Sequence, residues 1–134
     1  MSVVFADTFY FLALLNNTDK GHQKAVEFTS NYVGRLVTTA WVLTEVADAL
    51  AGTKNGRAQF ARTMQKLQKG PNMQVFPCQE LLFDEGVALY NQRPDKEWSL
   101  TDCISFVVMT REGITEALTG DYHFEQAGYV ALLR

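Results

Sequence analysis

Four carboxylates carry the chemistry that this sequence makes available: Asp7, Glu45, Asp102 and Asp121. Each stands near the start or the end of an expected element, so that one rim of the molecule would collect them all. Carboxylates brought together repel, and some take up protons unless a cation neutralises them. Oxygen ligands without cysteine or histidine select magnesium or manganese over zinc or copper. An ion held this way lowers the pKa of a water molecule for attack on a phosphodiester, and the same ion or a second one stabilises the leaving oxygen. No side chain has to act as the nucleophile, which fits a chain whose only histidines are His22 and His123.

Each acid also has a simpler reading. Asp7 is placed to cap a helix starting at Thr8, and Ser99-Leu-Thr-Asp102 matches a capping box. Asp121 follows Gly120, as a turn residue would. Capping does not account for Glu45, which falls inside its helix, stacked with Trp41, Val42, Val46 and Ala49. A charge rising from that apolar stripe is costly without a partner, and a shared cation is one such partner. Asp48, one turn on, reads as a solvated helix residue.

These positions depend on an alternation of strands and helices. Short β-branched or aromatic runs at Val3 to Ala6, Leu36 to Thr39, Gln74 to Phe76, Thr115 to Thr119 and Tyr129 to Leu132 read as strands. Helices are expected at Thr8 to Leu15, Lys20 to Tyr32 and Trp41 to Ala51. A further helix capped by Asn55 should end near Gly70 and Pro71, followed by others at Leu81 to Asn91 and Leu100 to Arg111. The alternation predicts a three-layer α/β/α domain with a mostly parallel central sheet of four or five strands. Ligands of such sheets bind beyond the carboxyl ends of the strands, where Asp7 and Asp121 fall.

Composition sets the outer bounds. A chain of 134 residues, 47% hydrophobic, suits one globular domain over residues 1–134 that buries roughly two-thirds of its unfolded surface. No apolar run approaches the roughly 18 residues of a membrane span, so a soluble, cytoplasmic protein is expected. Cys78 and Cys103 lack metal-type spacing and read as plain thiols. A formal net charge of −3 argues against a protein devoted to coating nucleic acid.

Between Ala49 and Gln79, however, there is no acidic residue, while Lys54, Arg57, Arg62, Lys66 and Lys69 all fall there. Arg62, Lys66 and Lys69 follow helical spacing, with Arg57 nearby, and form a ridge able to grip phosphates. The simpler reading is a solvated helix face. No exposed aromatics interleave the charges, so base stacking is not expected from this segment.

With these residues in view, the chain resembles the PIN-domain nucleases, in particular the VapC-type toxins of toxin–antitoxin pairs. The resemblance spans nearly the whole chain. It is carried by Val-Val-Phe-Ala-Asp7-Thr8, Thr44-Glu45-Val-Ala-Asp48, Ser99-Leu-Thr-Asp102 and Thr119-Gly-Asp121-Tyr-His-Phe124. It implies a magnesium- or manganese-dependent ribonuclease, often a homodimer, held in check by a small antitoxin protein. On this resemblance Asp7, Glu45, Asp102 and Asp121 match the acidic quartet of metal ligands and water-positioning groups. Thr8 and Thr119 match hydroxyls that support it. Where Gly120 stands, family members often carry Asn or Ser, so a polar contact before the fourth acid is missing. The alternatives are a catalytically silent PIN-like module that binds RNA or protein, and a phosphohydrolase with Asp7 as covalent nucleophile. The latter lacks the second aspartate expected two residues on, where Phe9 stands.

Overall fold

The structure, a computed structural model, describes residues 2–134. The chain enters through β1 (Val3–Ala6), a continuous apolar run that is buried from Val4 onward, as an inner strand of a parallel sheet should be. It continues through α1 (Thr8–Leu15), α2 (His22–Asn31), β2 (Arg35–Thr39), α3 (Ala40–Leu50), α4 (Lys54–Lys69) and β3 (Met73–Phe76). The second half runs α5 (Glu80–Gln92), α6 (Leu100–Glu112), β4 (Glu116–Leu118), α7 (Tyr122–Gln126) and β5 (Val130–Ala131).

All five strands are parallel, in the order β3-β2-β1-β4-β5. Phe5 of β1 pairs with Val37 of β2 on one side and with Ala117 of β4 on the other. The chain therefore builds outward from β1 in one direction, then returns to build in the other. Right-handed crossovers place α1 to α4 on one face and α5 to α7 on the other. The helix contacts agree, with α1 on α2 and α3, α3 on α4, and α5 on α6. The switch point lies between β1 and β4, where parallel sheets open a crevice at their carboxyl ends.

The helices that line the crevice are fixed by their own sequences. Val42, Leu43 and Val46 bury one stripe of α3, and Thr39 caps that helix by accepting from the Val42 N–H at 3.1 Å. Most of α6 is buried, from Asp102 through Met109, so this helix is packed on nearly every side. It stops at Gly113, whose φ of 67° is the left-handed conformation that glycine adopts without strain. Three local expectations differ from the outcome. Thr53, not Asn55, caps α4, because its hydroxyl accepts from the Gly56 N–H at 2.9 Å and Asn55 already lies inside the first turn. The last two strands are shorter than expected. The five-residue α7 was not anticipated, being too short to show a helical repeat.

Candidate active site

Asp7 emerges from the buried end of β1 into the switch point and is only 5% exposed. It occupies the position before α1, yet its side chain makes no capping hydrogen bond. Instead Oδ2 accepts from the Thr119 hydroxyl at 2.9 Å, and the same hydroxyl accepts from the Asp121 N–H at 3.0 Å. Thr119, fully buried beyond β4, thus ties the first acid to the fourth. Burial drives the Asp7 carboxyl up to about pKa 7, helped by the charges of Asp102 and Glu45 and opposed by the Thr119 hydrogen bond.

Glu45, in the second turn of α3, is half-buried. Its partner among the described residues is the hydroxyl of Thr8, which donates to Oε1 at 2.5 Å and so fixes the carboxylate across the α1–α3 contact. Asp48, one turn on, is exposed.

Asp102 does cap its helix: Oδ2 accepts from the Ser99 N–H at 3.2 Å while the Ser99 hydroxyl accepts from the Asp102 N–H at 3.0 Å. Capping and site geometry coincide, because α6 starts at the carboxyl edge of the sheet. Asp121 caps α7 in turn, accepting from the His123 N–H at 2.9 Å. That turn swings the His123 ring inward, and its Nδ1 lies 3.3 Å from Asp102 Oδ2 and 3.3 Å from Asp121 Oδ1. Donor atoms of Asp102, Asp121 and His123 all fall within 4.8 Å of one another. His123 Nδ1 is buried and has no hydrogen-bond partner among the described residues. The Asp102 carboxyl is raised above its usual range, chiefly by burial and further by the charges of Asp121 and Glu45. The Ser99 N–H and His123 oppose the rise.

The quartet therefore comes as a compact Asp102–Asp121–His123 group, with Asp7 and Glu45 outside that group but close enough for their charges to act on it. His123 is no part of the site expected from the sequence. The available signal was the Asp-x-His spacing, since a capping Asp121 brings the second following residue beside its carboxylate. Among the described residues no lysine or arginine pairs with these acids; the ion pairs of arginine are Arg93–Asp95, Arg111–Glu85 and Arg134–Glu125.

Next to the group, the Phe9 ring fills the space above Gly120, where a Cβ would fall 2.5 Å from Phe9 Cζ. Cys103 is buried, and burial with the Asp102 charge pushes its thiol up to about 11, leaving it a small hydrophobe; Cys78 is exposed. Arg62, Lys66 and Lys69 are exposed on the outer side of α4 and make no ion pair among the described residues. Arg57, also exposed, donates its Nε to the Ala51 carbonyl at 2.9 Å at the end of α3. Lys66 and Lys69 also lie in the last turn of α4, where the helix dipole favours cations.

A five-stranded parallel sheet in this order, flanked by helices and with acids at its switch point, is the architecture of the VapC-type PIN-domain proteins. Solved structures with the same fold include VapC20 of Mycobacterium tuberculosis, described as a sarcin–ricin loop cleaving toxin. It is 25% identical over 96% of this chain and 97% of its own, with a TM-score of 0.85. FitAcB from Neisseria gonorrhoeae is 17% identical over 96% of this chain and 94% of its own, TM-score 0.65. VapBC2 from Rickettsia felis, solved bound to a DNA fragment from its promoter, is 11% identical over 96% of each chain, TM-score 0.66. These last two share the fold alone. No family model matches the sequence, and no curated protein does. No helix among the described residues is long and apolar enough to cross a membrane.

Proposed function

We propose that this protein is a divalent-metal-dependent endoribonuclease of the toxin kind, hydrolysing RNA at the rim that holds Asp7, Glu45, Asp102 and Asp121. One observation carries the reading. Donor atoms of Asp102, Asp121 and His123 lie within 4.8 Å of one another at the switch point, with no lysine or arginine to neutralise them among the described residues. The donor set fits a cation: two carboxylates offer hard oxygens, and the buried His123 Nδ1 is a nitrogen without a hydrogen-bond partner among the described residues. A set that mixes oxygen with imidazole favours manganese over magnesium, which prefers oxygen alone. When bound, a divalent ion supplies an activated water and offsets charge on the leaving oxygen.

The chain's own residues set the geometry. Asp102, anchored by Ser99, and Asp121, anchored by its own cap, present carboxylates on either side of His123. Asp7, with its carboxyl raised to about pKa 7 by burial, is only partly ionised at neutral pH, and a nearby cation would favour its charged form. Thr119 keeps Asp7 and Asp121 in fixed relation through one hydroxyl. Glu45, held by Thr8, positions the attacking water. Arg62, Lys66 and Lys69 bind phosphates of the substrate. The likeness to VapC20 supports RNA as that substrate.

The same reading makes residues 1–134 one nuclease domain acting in the cytoplasm, as a homodimer, under the control of a small antitoxin protein. The likeness to VapC20, described as a toxin, supports that partner. The test is cleavage of RNA by the purified protein with manganese, with magnesium and with a chelator, beside the Asp102→Asn variant. Cleavage should require metal and Asp102. A wild type that binds RNA yet leaves it intact with either metal would make the chain a silent RNA-binding module instead.

A further inference from the structure

Tyr122 is the first residue of α7 and directly follows Asp121, yet nearly half of it, 46%, is exposed to solvent. Its ring lies against that of His123, with centroids 4.6 Å apart and planes inclined by 55°. His123 in turn places Nδ1 3.3 Å from both Asp102 and Asp121. An aromatic face thus stands in solvent one side chain away from the acidic group. The inclined contact with His123 fixes the ring without covering it.

Such a side chain has no packing duty that explains its place. Its neighbour Phe124 is the residue of α7 that enters the core, in contact with Phe5 and Phe106. Unpaired nucleobases are recognised by stacking on exposed aromatic rings, and single-stranded RNA offers them next to every phosphodiester. The basic ridge of α4 supplies contacts that do not read bases, so an aromatic at the rim is what is left to act on them.

Building on the ribonuclease reading, we propose that Tyr122 is a positioning residue that stacks on the unpaired nucleobase beside the scissile phosphate. The stacked base fixes the register of the strand over Asp102 and Asp121. Purines present the larger face, so the enzyme prefers a purine at that nucleotide.

The experiment uses the full chain, Tyr122→Ala, Tyr122→Phe and short single-stranded RNAs that differ at one nucleotide, with a fluorescent adenine analogue at that position for binding. Binding is measured in an Asp7→Asn background and cleavage in the otherwise wild-type chain. Loss of one stacking contact should weaken RNA binding and raise KM by about 5- to 150-fold in Tyr122→Ala, with a much smaller change in kcat. The purine preference and the fluorescence quenching should disappear with it. Tyr122→Phe keeps the ring and should keep all three. The manganese-induced rise in Tm should be the same in every Tyr122 variant. Wild-type cleavage with no change of KM or preference in Tyr122→Ala would overturn the stacking alone, as would a Tyr122→Phe protein as impaired as Tyr122→Ala. A wild type that neither binds nor cleaves RNA would instead overturn the ribonuclease reading and the stacking with it.

Discussion

The Phe9 ring takes the place of a side chain at position 120. A Cβ on Gly120 would meet three ring carbons of Phe9, at 2.5, 2.8 and 2.9 Å. The ring leaves no room for the Asn or Ser that the family resemblance would place before the fourth acid. Asp121 is held from elsewhere, by the Thr119 hydroxyl on its N–H and by its own cap on His123.

A prediction follows for the pair. Gly120→Ser forces the ring aside and should destabilise the protein by about 1 to 3 kcal/mol, the usual cost of overpacking. Phe9→Leu should recover most of that loss in the double variant, with a coupling of about 0.5 to 3 kcal/mol. Urea unfolding of the four proteins measures it. Strictly additive effects would show that ring and glycine are independent.

Asp7 gives a prediction with a definite pH window. Its carboxyl titrates near 3.8 unfolded and about 7 folded, so between those values the native state keeps a proton that the unfolded state has lost. Folding stability from this group therefore falls as pH rises through that window and stays low above it. Asp7→Asn removes the titration. Without metal, the variant should be more stable than wild type at about pH 8, by about 1 to 3 kcal/mol, with the gap closing towards about pH 4. Cleavage should be abolished. A gap that is constant across pH would show that Asp7 is not proton-linked, and full activity would remove it from the site.

The metal prediction rests on His123 and Glu45. If manganese binds this native group and not the unfolded chain, it should raise Tm by mass action. The rise should shrink in Glu45→Gln, and shrink further in His123→Ala, whose lost nitrogen matters more to manganese than to magnesium. Calorimetry with each ion decides between ligand and bystander. Identical manganese shifts in wild type and His123→Ala would mean that the imidazole only packs between Asp102 and Asp121.

What could be read from the sequence follows from which forces are local. Strand β1, helix α3 and the box opening α6 were legible because apolar periodicity and capping are written in adjacent residues. So was the all-important edge: an acid directly after a strand lies at the carboxyl end of a parallel sheet wherever that strand sits. Strand order was not legible, since it depends on pairing between residues far apart, such as Phe5 with Ala117. Thr119 was legible only through the family resemblance, as a hydroxyl supporting the acids; its partners, Asp7 112 positions away and Asp121 two positions on, were not. His123 escaped for a related reason. Its value comes from a single turn of helix too short to leave a repeat. Nor could the sequence show that Arg57 donates its Nε to a carbonyl at the end of α3.

The ridge itself gives the last prediction. Arg62, Lys66 and Lys69 stand on the exposed side of α4 with no ion pair among the described residues. If they grip RNA phosphates, each contact releases condensed counterions, and the logarithm of affinity falls with the logarithm of salt by about 0.7 per contact on single strands. Replacing all three with Gln should flatten that dependence by about two units. Arg57→Gln should leave the slope where it is and instead lower stability, because it frees the Ala51 carbonyl at the end of α3. Binding is read in the Asp7→Asn background over a salt series, with the manganese-induced Tm shift of the triple Gln protein as the control, since the acids are untouched. An unchanged slope in the triple variant would make the ridge a solvated face whose Lys66 and Lys69 serve only the helix dipole.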